Sequence, residues 1–244
     1  PTWSEQRLRR ALAIVNTLFQ RENLSGLQFE LAAPLLDLPD PGSALGTGSW
    51  FDVDPLQLGA LENAAQAAPL AAGWATDAVN VYLVNSLGGL AGSSAFPPGH
   101  PCAGAVDELV LLAPPSLAPS ASLEAFARTL AQQLANYFGV AATFASTCAG
   151  PDAFAGCSFP FSTVNGVVPG DGLRDTPFDP DANGAGDLLA LDAFYAACPD
   201  ARVLVRRNLT AAYPGELLRA RLSAGQIRRM RAAASAERAH VIAP

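Results

Sequence analysis

Residues 129–144 read Thr-Leu-Ala-Gln-Gln-Leu-Ala-Asn-Tyr-Phe-Gly-Val-Ala-Ala-Thr-Phe. Leu130, Leu134 and Tyr137 or Phe138 continue a stripe begun by Leu123 and Phe126, at helical three- and four-residue spacing. The pattern predicts a helix over about 122–138 with that stripe against a core. Gly139 suits the left-handed position just beyond a helix end, where a side chain would be strained. The polar side chains of the last turns are Gln132, Gln133 and Asn136. Residues 132 and 136 are one turn apart and share a face.

Working outward, residues 4–21 read as a helix, with Ser4 as cap, Glu5 at the positive end of the dipole and Leu8, Leu12, Val15 and Phe19 as its apolar stripe. Trp3 precedes the cap, placed to staple onto Leu8. Residues 27–31 alternate apolar and polar, as a half-buried strand does. A Pro/Gly/Asp-rich loop follows over 32–56, then a short helix over 55–67. Strands are expected at 79–84, 90–96 and 108–112. Beyond residue 144 the chain is rich in Gly, Pro and Asp until Ser223 and Gln226, which form a capping box for a helix over about 223–234. The expectation is an α+β fold, one domain overall. Sheet and helices occupy 1–139, with an irregular C-terminal subdomain over 140–244.

Composition narrows the function. The formal net charge is −7 and every basic residue is Arg. An acidic chain without a basic stripe is a poor nucleic-acid binder. The Arg runs at Arg7, Arg9 and Arg10 and from Arg219 to Arg231 read as solvated helix faces. No apolar run approaches the roughly 18 residues that span a bilayer. Cys102, Cys148, Cys157 and Cys198 have no CxxC spacing, which leaves two disulfides, in any of three pairings, or four free thiols. Disulfides imply an oxidising compartment. The chain starts at Pro1 without an apolar signal, as a processed secreted, periplasmic or cell-surface protein or a trimmed one would.

Three segments, in order, resemble the pappalysin family of metzincin metallopeptidases. The family pattern is H-E-x-x-H-x-x-G-x-x-H, followed later by a Met-turn. With Gly139 as the glycine, the His positions fall on Gln132, Asn136 and Ala142, and the catalytic Glu falls on Gln133. Gly170-Asp-Gly-Leu-Arg-Asp-Thr-Pro177 is similar to the family's Gly-Asp…Asp-Thr-Pro run. Asn208-Leu-Thr-Ala-Ala-Tyr213 resembles a Met-turn without its Met, and Ala224-Gly-Gln226…Arg229-Met230 resembles the closing helix. Upstream, Asn80-Val-Tyr-Leu-Val-Asn85 and Leu90-Ala-Gly92 fit the strand-to-cleft region. The resemblance implies a metzincin-like (zincin) domain with a twisted mixed sheet, packed helices and structural calcium.

It also implies a dead peptidase site. A catalytic zinc needs three protein ligands, usually imidazole or carboxylate, and an open position for water. Gln132 and Asn136 offer neutral amide oxygens and are expected to bond to each other across one turn. Ala142 offers nothing, and Gln133 cannot take a proton from water. Tyr213 aligns with the family tyrosine that assists at the transition state. Two His, His100 and His240, cannot rebuild a three-His site. No zinc is therefore expected.

Calcium is a separate possibility. Asp179, Asp181 and Asn183 fall at alternate positions, with Gly184 sixth and Asp187 ninth, as in the first half of a calcium loop. Ala190 stands where an EF-hand has its bidentate Glu. No G-x-S-x-G elbow accompanies either His. Asn23 and Asn208 lie in glycosylation sequons that chance also supplies.

The resulting expectation is a non-enzymatic secreted domain that binds a protein or peptide through the former substrate cleft, where an edge strand can pair with an extended segment. Its rivals are a peptidase with an unconventional metal site and a subunit of a surface assembly or other oligomer.

Overall fold

The computed structural model describes residues 3–22, 25–36, 38, 50–100, 103–104, 106–113, 123–143, 173, 175–176, 179, 188–196, 199–211 and 220–242. Helix α1 spans Glu5–Asn16, and the Ser4 hydroxyl accepts the Arg7 amide at 3.2 Å as its cap. At Thr17 the helix widens into a π turn, Thr17–Glu22, where the Thr17 hydroxyl donates back to the Ala13 carbonyl. Such back-bonding bends helices. Here the wider turn accompanies burial of two consecutive residues, Leu18 and Phe19.

A short 3₁₀ turn, Pro55–Gln57, leads into α2, Leu58–Ala67, and then into α3, Pro69–Ala72. Three strands follow: β1 Asn80–Leu83, β2 Gly92–Ser94 and β3 Leu109–Leu112. They form one mixed sheet in the order β1-β3-β2, with β1 parallel and β2 antiparallel to β3. The central helix α4 is Leu123–Tyr137. Further on come α5 Leu188–Phe194, α6 Pro199–Arg207, α7 Ala224–Ala236 and a closing 3₁₀ turn, Ala239–Val241.

Period-two geometry in β3 divides the core. Val110 and Leu112 face the layer of α1 and α4, where they join Val15, Phe126, Leu130 and Leu134. Leu109 and Leu111 face the opposite way, onto Trp50, Val53, Leu61 and Ala65 around α2. All four β3 residues are buried, as a central strand covered on both faces requires. Trp3 closes one end of the first cluster, its ring 4.0 Å from that of Phe126. Met230 and Ala234 of α7 belong to the same cluster as α4, so the C-terminal helix is part of the main core.

One expectation is corrected. Residues 27–31 do keep alternating burial, but they are not in a strand. The Asn16 side chain takes the place of a neighbouring strand, donating to the Phe29 carbonyl and accepting the Phe29 amide, both at 2.8 Å. The described residues of the C-terminal part include two helices besides the expected closing one. Helices α5 and α6 pack Leu191, Tyr195, Val205 and Ala211 into a third small core. Pro199 at the first position of α6 and Arg206 and Arg207 in its last turn favour that helix despite the Val-Leu-Val at its centre.

Candidate functional site

Helix α4 ends as its sequence requires. Gly139 has φ 83°, its amide bonds the Asn136 carbonyl at 2.8 Å, and the Val140 amide bonds the Ala135 carbonyl at 3.0 Å. This is the Schellman arrangement, with the buried Val140 and Ala135 as its apolar contact. The helix therefore presents its last two turns rigidly to whatever lies beside them.

What lies beside them is β2. Gln133 is buried, and its Oε1 accepts the Ser94 hydroxyl at 3.0 Å. The same oxygen lies 3.4 Å from Asn136 Nδ2. The expected Gln132–Asn136 pair is thus replaced by a Gln133–Asn136 pair, because Ser94 draws the carboxamide of residue 133 into the site. Gln132 is half-buried. Strand and helix are close enough that a Cβ on Gly92 would sit 2.9 Å from Gln133 Cγ and 3.1 Å from the Leu111 carbonyl oxygen. Only glycine fits there. Asn136 Oδ1 is buried without a hydrogen-bond partner.

These residues do not suit a catalytic zinc. Two amide oxygens are weak partners for Zn²⁺, Ala142 supplies no ligand, and the residue at the base position is an amide already engaged by a hydroxyl. Tyr213 lies outside the described residues.

A second polar cluster forms at the head of α7, and it joins the other two motif segments. Ser223 and Gln226 make the predicted capping box. Gln226 Oε1 accepts Asn208 Nδ2 at 3.0 Å and the Ser223 amide at 2.8 Å, and Gln226 Nε2 reaches Thr210 Oγ1 at 3.4 Å. Asn208 Oδ1 accepts both the amide and the hydroxyl of Thr210 at 2.9 Å. Asp175 adds a carboxylate to the positive end of the helix, accepting the Gly225 amide at 2.6 Å and the Ser223 hydroxyl at 3.0 Å. Thr176 donates to Ser223 Oγ at 3.0 Å. Asn208, Thr210 and Gln226 are all buried. The Asp-Thr pair, the Asn-Leu-Thr turn and the closing helix are therefore one hydrogen-bonded unit.

Of the candidate calcium ligands, Asp179 is fully buried and accepts the Thr143 hydroxyl at 3.2 Å, just beyond α4. Burial first, and the Asp179 charge second, push the Tyr195 phenol above its ordinary range. Asp181, Asn183 and Asp187, like Cys102, Cys148, Cys157 and Cys198, lie outside the described residues. Among the described residues there is no group of three or more His, Cys, Asp or Glu placed to hold a metal ion.

His100 stacks on Phe96 at 4.7 Å and packs by the stop of α4; burial, and then the nearby Arg229 charge, lower its pKa to about 4. His240 Nε2 lies 3.2 Å from Glu108 Oε2. Glu108 also accepts the buried Tyr137 hydroxyl and, at 2.5 Å, Nη1 of Arg238, which is fully buried beneath it. Arg238 lies over the Tyr137 ring at 4.0 Å. The buried Glu62 accepts the backbone amides of Asp107 and Glu108 at 2.8 and 2.6 Å, while desolvation raises its pKa.

Sequence reasoning missed Ser94, Asp175 as a cap, and the Glu108 cluster. Only Asp175 stood in a segment already singled out. Partners separated by 29 to 132 residues leave no local signal. Among the described residues, no helix is long and apolar enough to cross a membrane. No family model, curated protein or solved structure matches the chain, so the pappalysin resemblance rests on the order and spacing of its own motifs.

Proposed function

We propose that this chain is a catalytically inactive, metallopeptidase-like domain whose role is to bind a protein or peptide. The observation that carries the reading is Gln133. It stands where the pappalysin pattern has its general base, and its carboxamide is tied to Ser94 and Asn136. An amide in that state neither activates water nor frees an oxygen for a metal. Helix length, stop signal and packing stripe all persist around it, which is how a scaffold reads after its chemistry has been replaced. The four cysteines support a secreted, periplasmic or cell-surface setting.

Metal analysis of the purified protein for zinc and calcium, paired with a casein hydrolysis assay, tests the proposal. The expected result is no stoichiometric zinc and no chelator-sensitive hydrolysis. One zinc per chain together with hydrolysis that a chelator abolishes would overturn it.

A further inference from the structure

The chain has two Asn-x-Ser/Thr sequons, Asn23-Leu-Ser25 and Asn208-Leu-Thr210. Asn23 lies outside the described residues, whereas the second sequon is described in full. An N-linked glycan is bulky and keeps to the surface, so a usable sequon belongs on an exposed loop. Asn208 is 5% exposed, and Leu209 and Thr210 are buried beside it. Part of that arrangement is local. Asn208 Oδ1 accepts the amide and the hydroxyl of Thr210, which folds the side chain over its own backbone as in an Asx-turn. Those bonds stay within the tripeptide and do not involve Nδ2, the nitrogen that would carry a glycan.

What covers Nδ2 comes from further along the chain. Nδ2 donates to Gln226 Oε1 at 3.0 Å, and Gln226 is fully buried at the head of α7, 18 residues on. The Leu209 amide bonds the Arg221 carbonyl at 2.7 Å, which holds the chain entering α7 against the sequon. Asp175 fastens the same head through the Gly225 amide, so closely that a Cβ on Gly225 would sit 2.3 Å from Asp175 Oδ1. Glycan transfer needs the Asn208 nitrogen bare. Nδ2 bonds to the anomeric carbon of a lipid-pyrophosphate-linked oligosaccharide and gives up one proton. The carbon–oxygen bond to the pyrophosphate breaks, and the lipid pyrophosphate leaves with that electron pair. The product amide keeps one N–H and carries a sugar ring in place of the other. No ring fits on a nitrogen enclosed in a close-packed cluster, so a glycan on Asn208 and a docked α7 exclude each other.

We infer that Asn208 is a fold-gated glycosylation site. It is an acceptor while the head of α7 is open, it closes to transfer when Gln226 docks, and once modified it keeps α7 from docking. Docked chains carry no glycan at Asn208, and a glycan there marks chains whose α7 never reached the core.

The test is translation of the full chain into microsomes that supply the transferase and the lipid-linked donor. Every version carries Asn23→Gln, so that a gel shift removed by a glycan-cleaving amidase reports Asn208 alone. Asn208→Gln marks the position of the unglycosylated chain. After the membrane is opened, chains that resist limited proteolysis count as folded. Folded chains with the native Asn208 cluster are expected to carry no glycan there, which mass mapping checks, since the amidase leaves Asp at a modified Asn. Gln226→Leu removes the acceptor of Asn208 Nδ2, and Asp175→Asn removes the carboxylate that fastens the Gly225 amide. Each should raise the glycosylated fraction of all chains at least about threefold, with the glycan confined to the protease-sensitive chains. Neither variant has to fold for this to be read. A glycan on Asn208 in folded chains with the native cluster would overturn the inference. So would a glycosylated fraction, zero included, that is the same with the native cluster as in both variants.

Discussion

The amides of α4 and those at the head of α7 are the same kind of group used in two ways. Around Gln226 every buried donor and acceptor described above has a partner, and Asp175 closes the network from a distant segment. Around Gln133 the bonds are fewer, and Asn136 Oδ1 is buried with none. A satisfied buried network holds one structure in place, whereas an incomplete one stabilises little and marks a place to ask about function. The difference assigns the α7 cluster to holding the fold and leaves the α4 cluster as the place to ask about function.

Breaking the satisfied cluster should have the largest effect. Gln226→Leu leaves Asn208 Nδ2 and the Ser223 amide without their acceptor, and should cost about 3 kcal/mol, read from chemical denaturation midpoints. A loss below about 1 kcal/mol would mean that the network is not what fixes the head of α7.

His100 tests the junction between the clusters, since it lies by the stop of α4 and near Arg229 of α7. Its pKa is about 4 in the folded protein against 6.5 when unperturbed, so the unfolded chain takes up the proton first. Its contribution to stability is complete above pH 6.5 and falls as pH drops toward 4. His100→Gln should flatten that part of the stability profile. An unchanged slope, or a His100 ring that titrates near 6.5 by NMR, would remove His100 from the junction.

The smallest effect belongs to the incomplete cluster. Asn136→Leu discards an oxygen that has no partner and a 3.4 Å contact to Gln133, so stability should change by less than about 0.5 kcal/mol or rise slightly. A loss as large as that of Gln226→Leu would erase the distinction between the two regions.

Most of the α+β framework was legible in the sequence because its signals are local. The stripe of α4, Gly139 as its stop, the Ser4 cap and the Ser223 capping box each act within one or two turns, and each takes its expected place. The alternation at 27–31 was read correctly as alternating burial, but pattern does not say what supplies the hydrogen bonds; here it is Asn16 rather than a strand. Helix α6 was hidden because Val203-Leu204-Val205 favours a strand while the termini favour a helix. In the candidate site, helical spacing named the right amides and mispaired them. Which carboxamide turns inward depends on Ser94 and on the space that Gly92 leaves, and neither is near in sequence.

The clasp on Glu108 bears on the order in which the protein can be assembled. Its carboxylate opens the central strand, yet Arg238 and His240, which hold it, are 130 and 132 residues further along. Arg231 likewise reaches the Ser25 carbonyl across 206 residues. During synthesis the sheet and α4 emerge well before their last fasteners, and closing contacts over such separations is slow. Until residues 230–238 have left the ribosome, Glu108 and Tyr137 wait without the guanidinium that covers them, and the core between α1 and α4 lacks Met230. The three described strands are thus made long before the core around them is complete, and that interval is when the nascent chain depends most on protection from aggregation.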